Sequence, residues 1–286
     1  MRRAGWVLGL AAMAASPFAP VAGQGTRIPP GARYTGRAFD FQEVAEGVWF
    51  ASGTGVVSAE SNHAIIELGD EVLVVDAGTS PAAAWAFLRE LPRVTRKPVR
   101  HLVLTHLHYD HAHGTQSFPA GIAIIGTEFT RQMIAAGKSV DHPTAAGNRR
   151  FSSTQIENLT RALDTATTAV SRTAIQRQRN VWQQYLASLE TLRPVAPNVT
   201  VSGRMSIIRG GREVQVFHPG PAHTSGDLVV WLPKERILVT GDLLQPGLPY
   251  MGDGFLDQWA TVLDTLRAMD PAVVLPGHGA AFRDQA

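Results

Sequence analysis

The sequence predicts an α/β fold built as one large domain. Short apolar runs that end in Gly or Asp turns predict β-strands, and stretches with apolar residues at helical spacing predict α-helices among them. The 286 residues are 44% hydrophobic and 17% charged, which is enough for one sizeable core without a disordered segment.

The chain opens with strands and then a helix. Three apolar runs separated by Gly and Asp turns predict strands over residues 47–52, 63–68 and 72–76. A helix is expected next, because Ser80 can act as the N-cap and Pro81 suits the first helical position. Pro92 ends this helical pattern.

The central region changes character. Two more strands are predicted over residues 99–105 and 122–125, and a helix near Thr127. Strand patterns then vanish over residues 137–197, where Thr154 and Glu157 form a capping-box pattern ahead of helical apolar spacing. We interpret this segment as an inserted pair of helices. It is either a packed appendage or a cap that shapes substrate choice, since insertions often carry function.

Strands return after the insertion, and a helix completes the pattern. Apolar runs predict strands over residues 205–208, 214–217, 228–232 and 237–240. The final helix is predicted by apolar residues at helical spacing before Pro271, namely Trp259, Val262, Leu263, Leu266 and Met269.

Residues 1–23 have the pattern of a secretory signal peptide. Arg2 and Arg3 supply the charged start, an apolar stretch follows, and Val21-Ala22-Gly23 offers small residues for cleavage. We therefore expect a periplasmic or secreted protein, with residues 24–286 as the mature chain. No stable membrane anchor is expected, because the apolar stretch is too short to span a bilayer. The arginine pair leaves both general and twin-arginine export open.

The composition restricts ligands and partners. Cysteine is absent, so disulfides are excluded and every metal ligand must be nitrogen or oxygen. The formal net charge is +2 and no Lys/Arg block forms a phosphate-tracking stripe, so we expect no nucleic-acid partner. The oligomeric state is not encoded in any pattern that we can identify.

A cluster of histidines directly follows the strand predicted over residues 99–105. His106 and His108 can project the same way where the strand runs out, while Asp110 and His111 turn toward a second position. This spacing predicts a metal site with room for two cations side by side.

Three more polar residues follow strand-like runs and are flanked by Gly or Pro, namely His223, Asp242 and His278. Glycine lets the backbone turn tightly there, so that ligands from different strands can converge on one site. A lone histidine after a strand is most often a surface or capped residue. The whole set together favours a metal centre.

The His-x-His-x-Asp-His motif at residues 106–111 resembles the signature of the metallo-β-lactamase superfamily. Asp76 in Val-Val-Asp-Ala-Gly, Asp242 in Gly-Asp and His278 in Gly-His follow in the order of that superfamily, and the likeness covers nearly the whole mature chain. The resemblance implies an αββα sandwich, in which two mixed sheets pack face to face with helices outside. It places the metals in a groove at one sheet edge.

The resemblance also implies a set of ligands. One metal would be held by His106, His108 and His223, the other by Asp110, His111 and His278, with Asp242 bridging both. Two Zn²⁺ ions suit these nitrogen and carboxylate donors, which also accept Fe or Mn. Asp76 would orient the histidine loop, or else cap a turn at the end of its strand.

The implied chemistry is hydrolysis by a metal-activated hydroxide. Two cations roughly 3.5–4 Å apart lower the pKa of a shared water toward ~7. Asp110 would orient the hydroxide and relay its proton. Tyr250 would donate a hydrogen bond to the oxyanion, unless it is simply packed beside Pro249. The expected substrate is a small molecule with an ester, lactone, thioester or amide bond.

Two alternatives stay open. The chain shares six ligands with the all-histidine zinc β-lactamases, so hydrolysis of β-lactam antibiotics is one of them, although a bridging aspartate such as Asp242 is not expected there. An iron-dependent redox member of the same fold is the other, and the full set of seven ligands argues against a one-iron site.

The remaining histidines have simpler interpretations. Packing or solvent exposure is expected for His63, His101, His142 and His218. His113 is close enough to the cluster to orient a ligand or to shuttle protons. Substrate choice is expected to lie in residues 53–60, as a flap, and in the helical insertion.

Overall fold

The computed structural model describes residues 28–283, so the predicted signal peptide, residues 1–23, lies outside the described part of the chain. Two β-sheets form the centre of the molecule. Within residues 28–283, none of the helices combines the length and the apolar character that crossing a bilayer requires.

The first sheet contains seven strands among the described residues, and their spatial order follows the chain. These strands are β1 (Phe39–Ala45), β2 (Val48–Gly53), β3 (His63–Leu68), β4 (Glu71–Val75), β5 (Val99–Val103), β6 (Ala123–Gly126) and β7 (Val199–Thr200). Pairing is antiparallel from β1 to β4 and parallel from β4 to β7. The sheet is therefore mixed, as expected.

The second sheet contains five strands of the described chain, namely β8 (Arg204–Arg209), β9 (Arg212–Phe217), β10 (Val229–Leu232), β11 (Ile237–Gly241) and β12 (Val273–Pro276). Their order is β12-β11-β10-β9-β8. Only β11 and β12 pair in parallel. The carboxyl ends of β11 and β12 consequently meet at one edge of this sheet.

Six α-helices lie within residues 28–283, namely α1 (Pro81–Glu90), α2 (Tyr109–Ala112), α3 (Glu128–Ala135), α4 (Pro143–Thr165), α5 (Ala169–Ser188) and α6 (Leu256–Arg267). The predicted N-cap of α1 is confirmed, because the Ser80 hydroxyl accepts the backbone N–H of Ala83 at 3.2 Å. Thr127 caps α3 in the same way, by accepting the N–H of Thr130.

Alternation along the strands divides the core into layers. Ile65 of β3 packs in the cluster that contains Phe87 of α1, whereas the next residue, Ile66, packs between the two sheets. On the far side of the second sheet, Leu238 of β11 packs in a third cluster with Trp259 of α6. The order is helix, sheet, sheet, helix, and the expected αββα sandwich is confirmed.

The start of the helical pair differs from the prediction. The capping box at Thr154 and Glu157 is wrong, because α4 begins at Pro143 and both residues lie inside it. Its N-cap is His142, whose Nδ1 accepts the backbone N–H of Thr144 at 3.4 Å. The first turns of α4 carry small and charged residues, so no apolar period marks them. α4 and α5 pack against each other as an antiparallel pair.

Candidate metal centre

One group of buried side chains gathers at the edge where the two sheets meet. Nε2 of His223 lies 3.0 Å from Nδ1 of His108 and 3.5 Å from Oδ2 of Asp242. Nε2 of His106 lies 3.9 Å from the same carboxylate oxygen. One donor atom from each of these four residues lies within 4.8 Å of the others, so the group could hold a metal ion. We call it the first cluster.

A second group lies directly beside the first. Oδ2 of Asp110 is 3.3 Å from Nε2 of His111 and 3.1 Å from Nε2 of His278. His111 is fully buried, and Asp110 is nearly so. These three residues, which we call the second cluster, could also hold a metal ion.

Asp242 presents one oxygen to each cluster. Its Oδ2 faces His106 and His223, as described above, while its Oδ1 lies 3.2 Å from Nε2 of His111 and 3.4 Å from Nε2 of His278. A carboxylate oriented in this way can bridge two cations. The structure thus brings together all seven residues that the sequence singled out as ligands.

The unpaired atoms of the two clusters fit a pair of cations. Nε2 of His106, Nε2 of His111 and Oδ1 of Asp242 are buried, and none has a hydrogen-bond partner among residues 28–283. Leaving buried polar atoms unsatisfied costs about 1–3 kcal/mol each, so such atoms call for an explanation. Nitrogen and carboxylate donors directed at a common point suit Zn²⁺ and other divalent metals.

Burial sets the protonation of the first cluster. It lowers the pKa of His106 well below its usual value and that of His223 to about 4. Both imidazoles are therefore neutral at pH 7, which is the form that binds metals. For Asp242, burial alone would raise the pKa, but the neighbouring His111 outweighs it and holds this carboxyl ionised.

Opposite charges face each other in the second cluster. Burial alone would lower the pKa of His278, but the neighbouring carboxylates of Asp110 and Asp242 outweigh that effect and raise the pKa to about 10. Asp110 behaves in the opposite sense, since His111 outweighs burial and keeps its pKa well below the usual value. The two carboxylates therefore favour positive charge at this point, which a divalent cation could supply in place of protons.

Asp76 fixes the ring of His111. The backbone at Asp76 has a φ of 65°, in the left-handed region that a few short polar residues tolerate. Its Oδ2 accepts a hydrogen bond of 2.7 Å from Nδ1 of His111, and its Oδ1 accepts the backbone N–H of Thr105 at 2.8 Å. The Nε2 atom of His111 is thereby left to face the clusters.

The loop between β2 and β3 orients the ring of His278. Its Nδ1 donates to the backbone carbonyl of Glu60 at 2.9 Å. The preceding residue must be glycine, because a Cβ at Gly277 would lie 2.3 Å from Oδ1 of Asp242 and 2.8 Å from Cε1 of His111. The Glu60 carboxylate also accepts hydrogen bonds from the hydroxyl of Tyr109 and from Nδ2 of Asn148 in α4.

Sequence reasoning did not identify two residues, Asp253 and His142, that lie beside the first cluster. Oδ2 of Asp253 lies 2.8 Å from Nε2 of His108 and 3.0 Å from Nε2 of His142. The expectation that His142 is merely packed or exposed is therefore incomplete, since this residue also contacts the wall of the first cluster. Neither residue belongs to a local metal-binding motif, and their proximity arises only when the loop before α6 meets the start of α4.

Tyr250 lies at the mouth of the site. It is 43% exposed, and its ring centroid is 5.7 Å from that of His108.

His113 lies outside both clusters. It is buried, and its Nε2 is 3.2 Å from the carbonyl of Ser139. Ser139 in turn donates to the carbonyl of Leu107, so this contact supports the histidine loop from behind.

The other histidines have structural partners. His63 is buried and stacks on Phe87, with 4.1 Å between the ring centroids. His101 pairs with Glu71 at 3.0 Å, and Nδ1 of His218 lies 2.7 Å from the carbonyl of Asp227. Their expected packing roles are confirmed.

The chain resembles proteins of known function. It is 27% identical over 222 residues to the linear primary-alkylsulfatase of Pseudomonas sp. (strain ATCC 19151), across 75% of this chain and 40% of that protein. It is 34% identical over 76 residues to the metallo-beta-lactamase type 2 of Bacillus sp. (strain 170), across 24% of this chain and 30% of that protein. The chain thus spans well under two thirds of the length of these curated relatives.

Solved structures share the fold. The metallo-beta-lactamase from Pontibacter korlensis superposes with a TM-score of 0.59 at 19% sequence identity, over 86% of this chain and 93% of that one. The sequence profile of the Metallo-beta-lactamase superfamily matches residues 60–124 and 159–278, which include all seven candidate ligands. This match covers more than half of the chain, and the chain therefore belongs to the metallo-beta-lactamase superfamily.

Proposed function

We propose that this protein is a binuclear zinc hydrolase that cleaves an ester, lactone, thioester or amide bond in a small molecule. The observation that carries the proposal is the carboxylate of Asp242, which presents one oxygen to each cluster. The first zinc would be held by His106, His108 and His223, and the second by Asp110, His111 and His278. Iron or manganese would satisfy the same donors.

The chain's own residues define the rest of the chemistry. Zinc, when bound, lowers the pKa of water toward neutral and polarises a substrate oxygen. Asp110 is ionised, and we assign it the task of orienting the attacking water and accepting its proton. We assign Tyr250, which stands exposed beside His108, to donate its hydroxyl hydrogen to the developing oxyanion. The burial of the clusters strengthens these electrostatic contacts.

The helical pair and the N-terminus complete the proposal. We propose that residues 137–197 form a cap on the single domain of residues 24–286, because Asn148 of α4 donates a 2.9 Å hydrogen bond to Glu60 next to the second cluster. Replacing Asn148 by Ala is then expected to change KM across substrates while zinc content stays constant.

We also propose export to the periplasm or the medium, supported by the signal-like pattern of residues 1–23.

The relatives favour a second group of substrates. The names of the Bacillus relative and of the Pontibacter structure point to β-lactams, and the name of the Pseudomonas relative points to primary alkyl sulfates. An apolar cavity of about 380 Å³ lies beside Asp242, lined by Leu248, Leu256 and Trp259 among others. This cavity would suit an alkyl chain and favours including sulfate esters among the candidates.

The proposal is tested by zinc content and a substrate panel. The purified protein is expected to hold two zinc ions and to turn over at least one of a chromogenic cephalosporin, a lactone, a thioester, an aryl ester or a primary alkyl sulfate. A kcat/KM above roughly 10⁴ M⁻¹s⁻¹ that a chelator abolishes identifies the substrate class.

Matched variants separate the site from the scaffold. Replacing His108 or Asp110 by Ala is expected to abolish turnover while the fold survives. Replacing His101, a histidine paired with Glu71 away from both clusters, is expected to leave turnover unchanged. Near-normal rates in the His108 or Asp110 variants would refute the proposed hydrolase mechanism.

A further inference from the structure

Asp253 connects a proposed zinc ligand to the helical pair through one oxygen atom. Its Oδ2 lies 2.8 Å from Nε2 of His108 and 3.0 Å from Nε2 of His142. We propose that Asp253 is a positioning residue that fixes the ring of His108, and that His142 holds Asp253 in place for this task. The inference rests on the proposed zinc centre, because it concerns the orientation of one of its ligands.

The two nitrogens of His108 have different tasks. Its Nδ1 faces the first cluster and lies 3.0 Å from Nε2 of His223. A neutral imidazole carries a single N–H, so an Nε2–H donated to Asp253 leaves the lone pair of Nδ1 free for a cation. Carboxylates that accept the second N–H of a metal-binding histidine fix its tautomer and raise its basicity. Asp253 therefore selects the form of His108 that can bind metal.

His142 is built to hold the carboxylate of Asp253. As the N-cap of α4, it uses Nδ1 to accept hydrogen bonds from the backbone N–H and the hydroxyl of Thr144, at 3.4 and 2.9 Å. Its single N–H is consequently on Nε2, which points at Oδ2 of Asp253. The Asp253 side chain is 31% exposed. Without this second donor, it could rotate toward solvent and leave His108 without a partner.

The contact has a consequence for the surrounding elements. Asp253 belongs to the loop before α6, and His142 begins α4, so both elements act on the first cluster through the same oxygen atom. Displacing either element removes support from His108. Loss of such a partner typically weakens metal binding by about 10–100-fold.

The experiment measures zinc affinity and stoichiometry on the purified chain, by competition with a chromophoric chelator. Asp253→Ala is expected to weaken binding of one of the two zinc ions by about 10–100-fold, and Asp253→Asn, which keeps an acceptor oxygen, by less. His142→Asn keeps a favoured N-cap but is too short to reach Asp253, so it is expected to weaken the same ion moderately. Asp257→Asn, an exposed carboxylate nearby, is the matched control and is expected to have no effect.

Coupling between the two residues distinguishes positioning from a general structural effect. Because His142 acts through Asp253, adding His142→Asn to Asp253→Ala is expected to cost nothing further, whereas independent structural defects would add. The absorption spectrum of the Co²⁺-substituted protein is expected to change in Asp253→Ala and to stay constant in Asp257→Asn.

Three results would overturn the inference. Wild-type zinc affinity in both Asp253 variants would refute it and leave the proposed hydrolase untouched. A third zinc ion that the wild type binds and both Asp253→Ala and His142→Asn lose would make these residues ligands instead of positioning groups. A wild-type chain that binds no zinc would overturn the proposed function, and this inference with it.

Discussion

Nδ1 of His111 donates a 2.7 Å hydrogen bond to Oδ2 of Asp76, while Asp76 itself has a left-handed backbone with a φ of 65°. The position requires two properties at once. The residue must tolerate a positive φ, which favours Gly, Asn and Asp, and it must offer an acceptor to the histidine. Aspartate meets both requirements, which explains its place at the end of β4.

Asp76→Asn is expected to weaken zinc binding by about 10–100-fold without unfolding the chain. Asparagine tolerates the backbone conformation, and its oxygen can still accept the N–H of Thr105. Its NH₂ group would then face the N–H of His111, and the ring could relieve this clash only by moving its proton to Nε2. Competition with a chelator measures the loss. Asp70→Asn, in the exposed turn before β4, is the control, and equal affinities for the two variants would contradict the expectation.

Gly277→Ala is expected to remove at least one zinc ion and to lower turnover by about 10²-fold, because a methyl group would lie 2.3 Å from Oδ1 of Asp242. Elemental analysis and the substrate assay measure both effects. Gly203→Ala serves as the matched control, since no atom lies within 4 Å of its added methyl group. A Gly277→Ala variant with two zinc ions and normal turnover would show that the close approach has no functional role.

Removing zinc is expected to lower the Tm. At a free zinc concentration 100-fold above Kd, each site contributes about 2.7 kcal/mol, which corresponds to roughly 5–10 °C for a domain of this size. Calorimetry with and without chelator measures the difference. We expect His106→Ala to reduce this difference and His101→Ala to preserve it. A chelator-independent Tm in the wild type would contradict zinc binding to the native state.

Acid is expected to destabilise the metal-free protein through His63. Burial lowers the pKa of this histidine to about 4, below its unfolded value near 6.5. The folded state therefore disfavours the protonated form, and the corresponding stability, up to about 3 kcal/mol, is present above pH 6.5 and lost as the pH falls toward 4.

His63→Asn tests this pH dependence. Asparagine can keep the hydrogen bond to the carbonyl of Asp76 but cannot titrate, so the free energy of unfolding should depend less on pH between 6.5 and 4. Urea denaturation at several pH values measures it. An unchanged slope in the variant would assign the acid sensitivity to other groups.

The candidate ligands could be picked out from the sequence because each lies in the segment that follows a strand, closely for Asp242 and further along the loop after β9 for His223. A strand end gives its residue a defined place at the sheet edge, so the short runs before His106 and Asp242 located both side chains without knowledge of the whole fold. The nearly continuous apolar runs of β3 and β4 likewise reflected burial on both faces of the sheet. Local pattern and tertiary position coincide at these residues.

Other features depend on contacts that no local pattern records. His142 and Asp253 meet through the relative placement of α4 and the loop before α6, and either residue alone resembles an ordinary turn residue. The strand β1 was not predicted, because its Phe39 and Phe41 alternate with polar residues and form no continuous apolar run. The first turns of α4 form without apolar periodicity, because the N-cap and packing against α5 stabilise them.

Each cluster draws its residues from both sheets. His106, His108, Asp110 and His111 follow β5 of the first sheet, whereas His223, Asp242 and His278 belong to the second sheet and its loops. Neither half of the molecule can assemble a complete site by itself. A pair of cations bound there would link the two sheets at their common edge. The ions proposed for catalysis would therefore also stabilise the contact between the sheets.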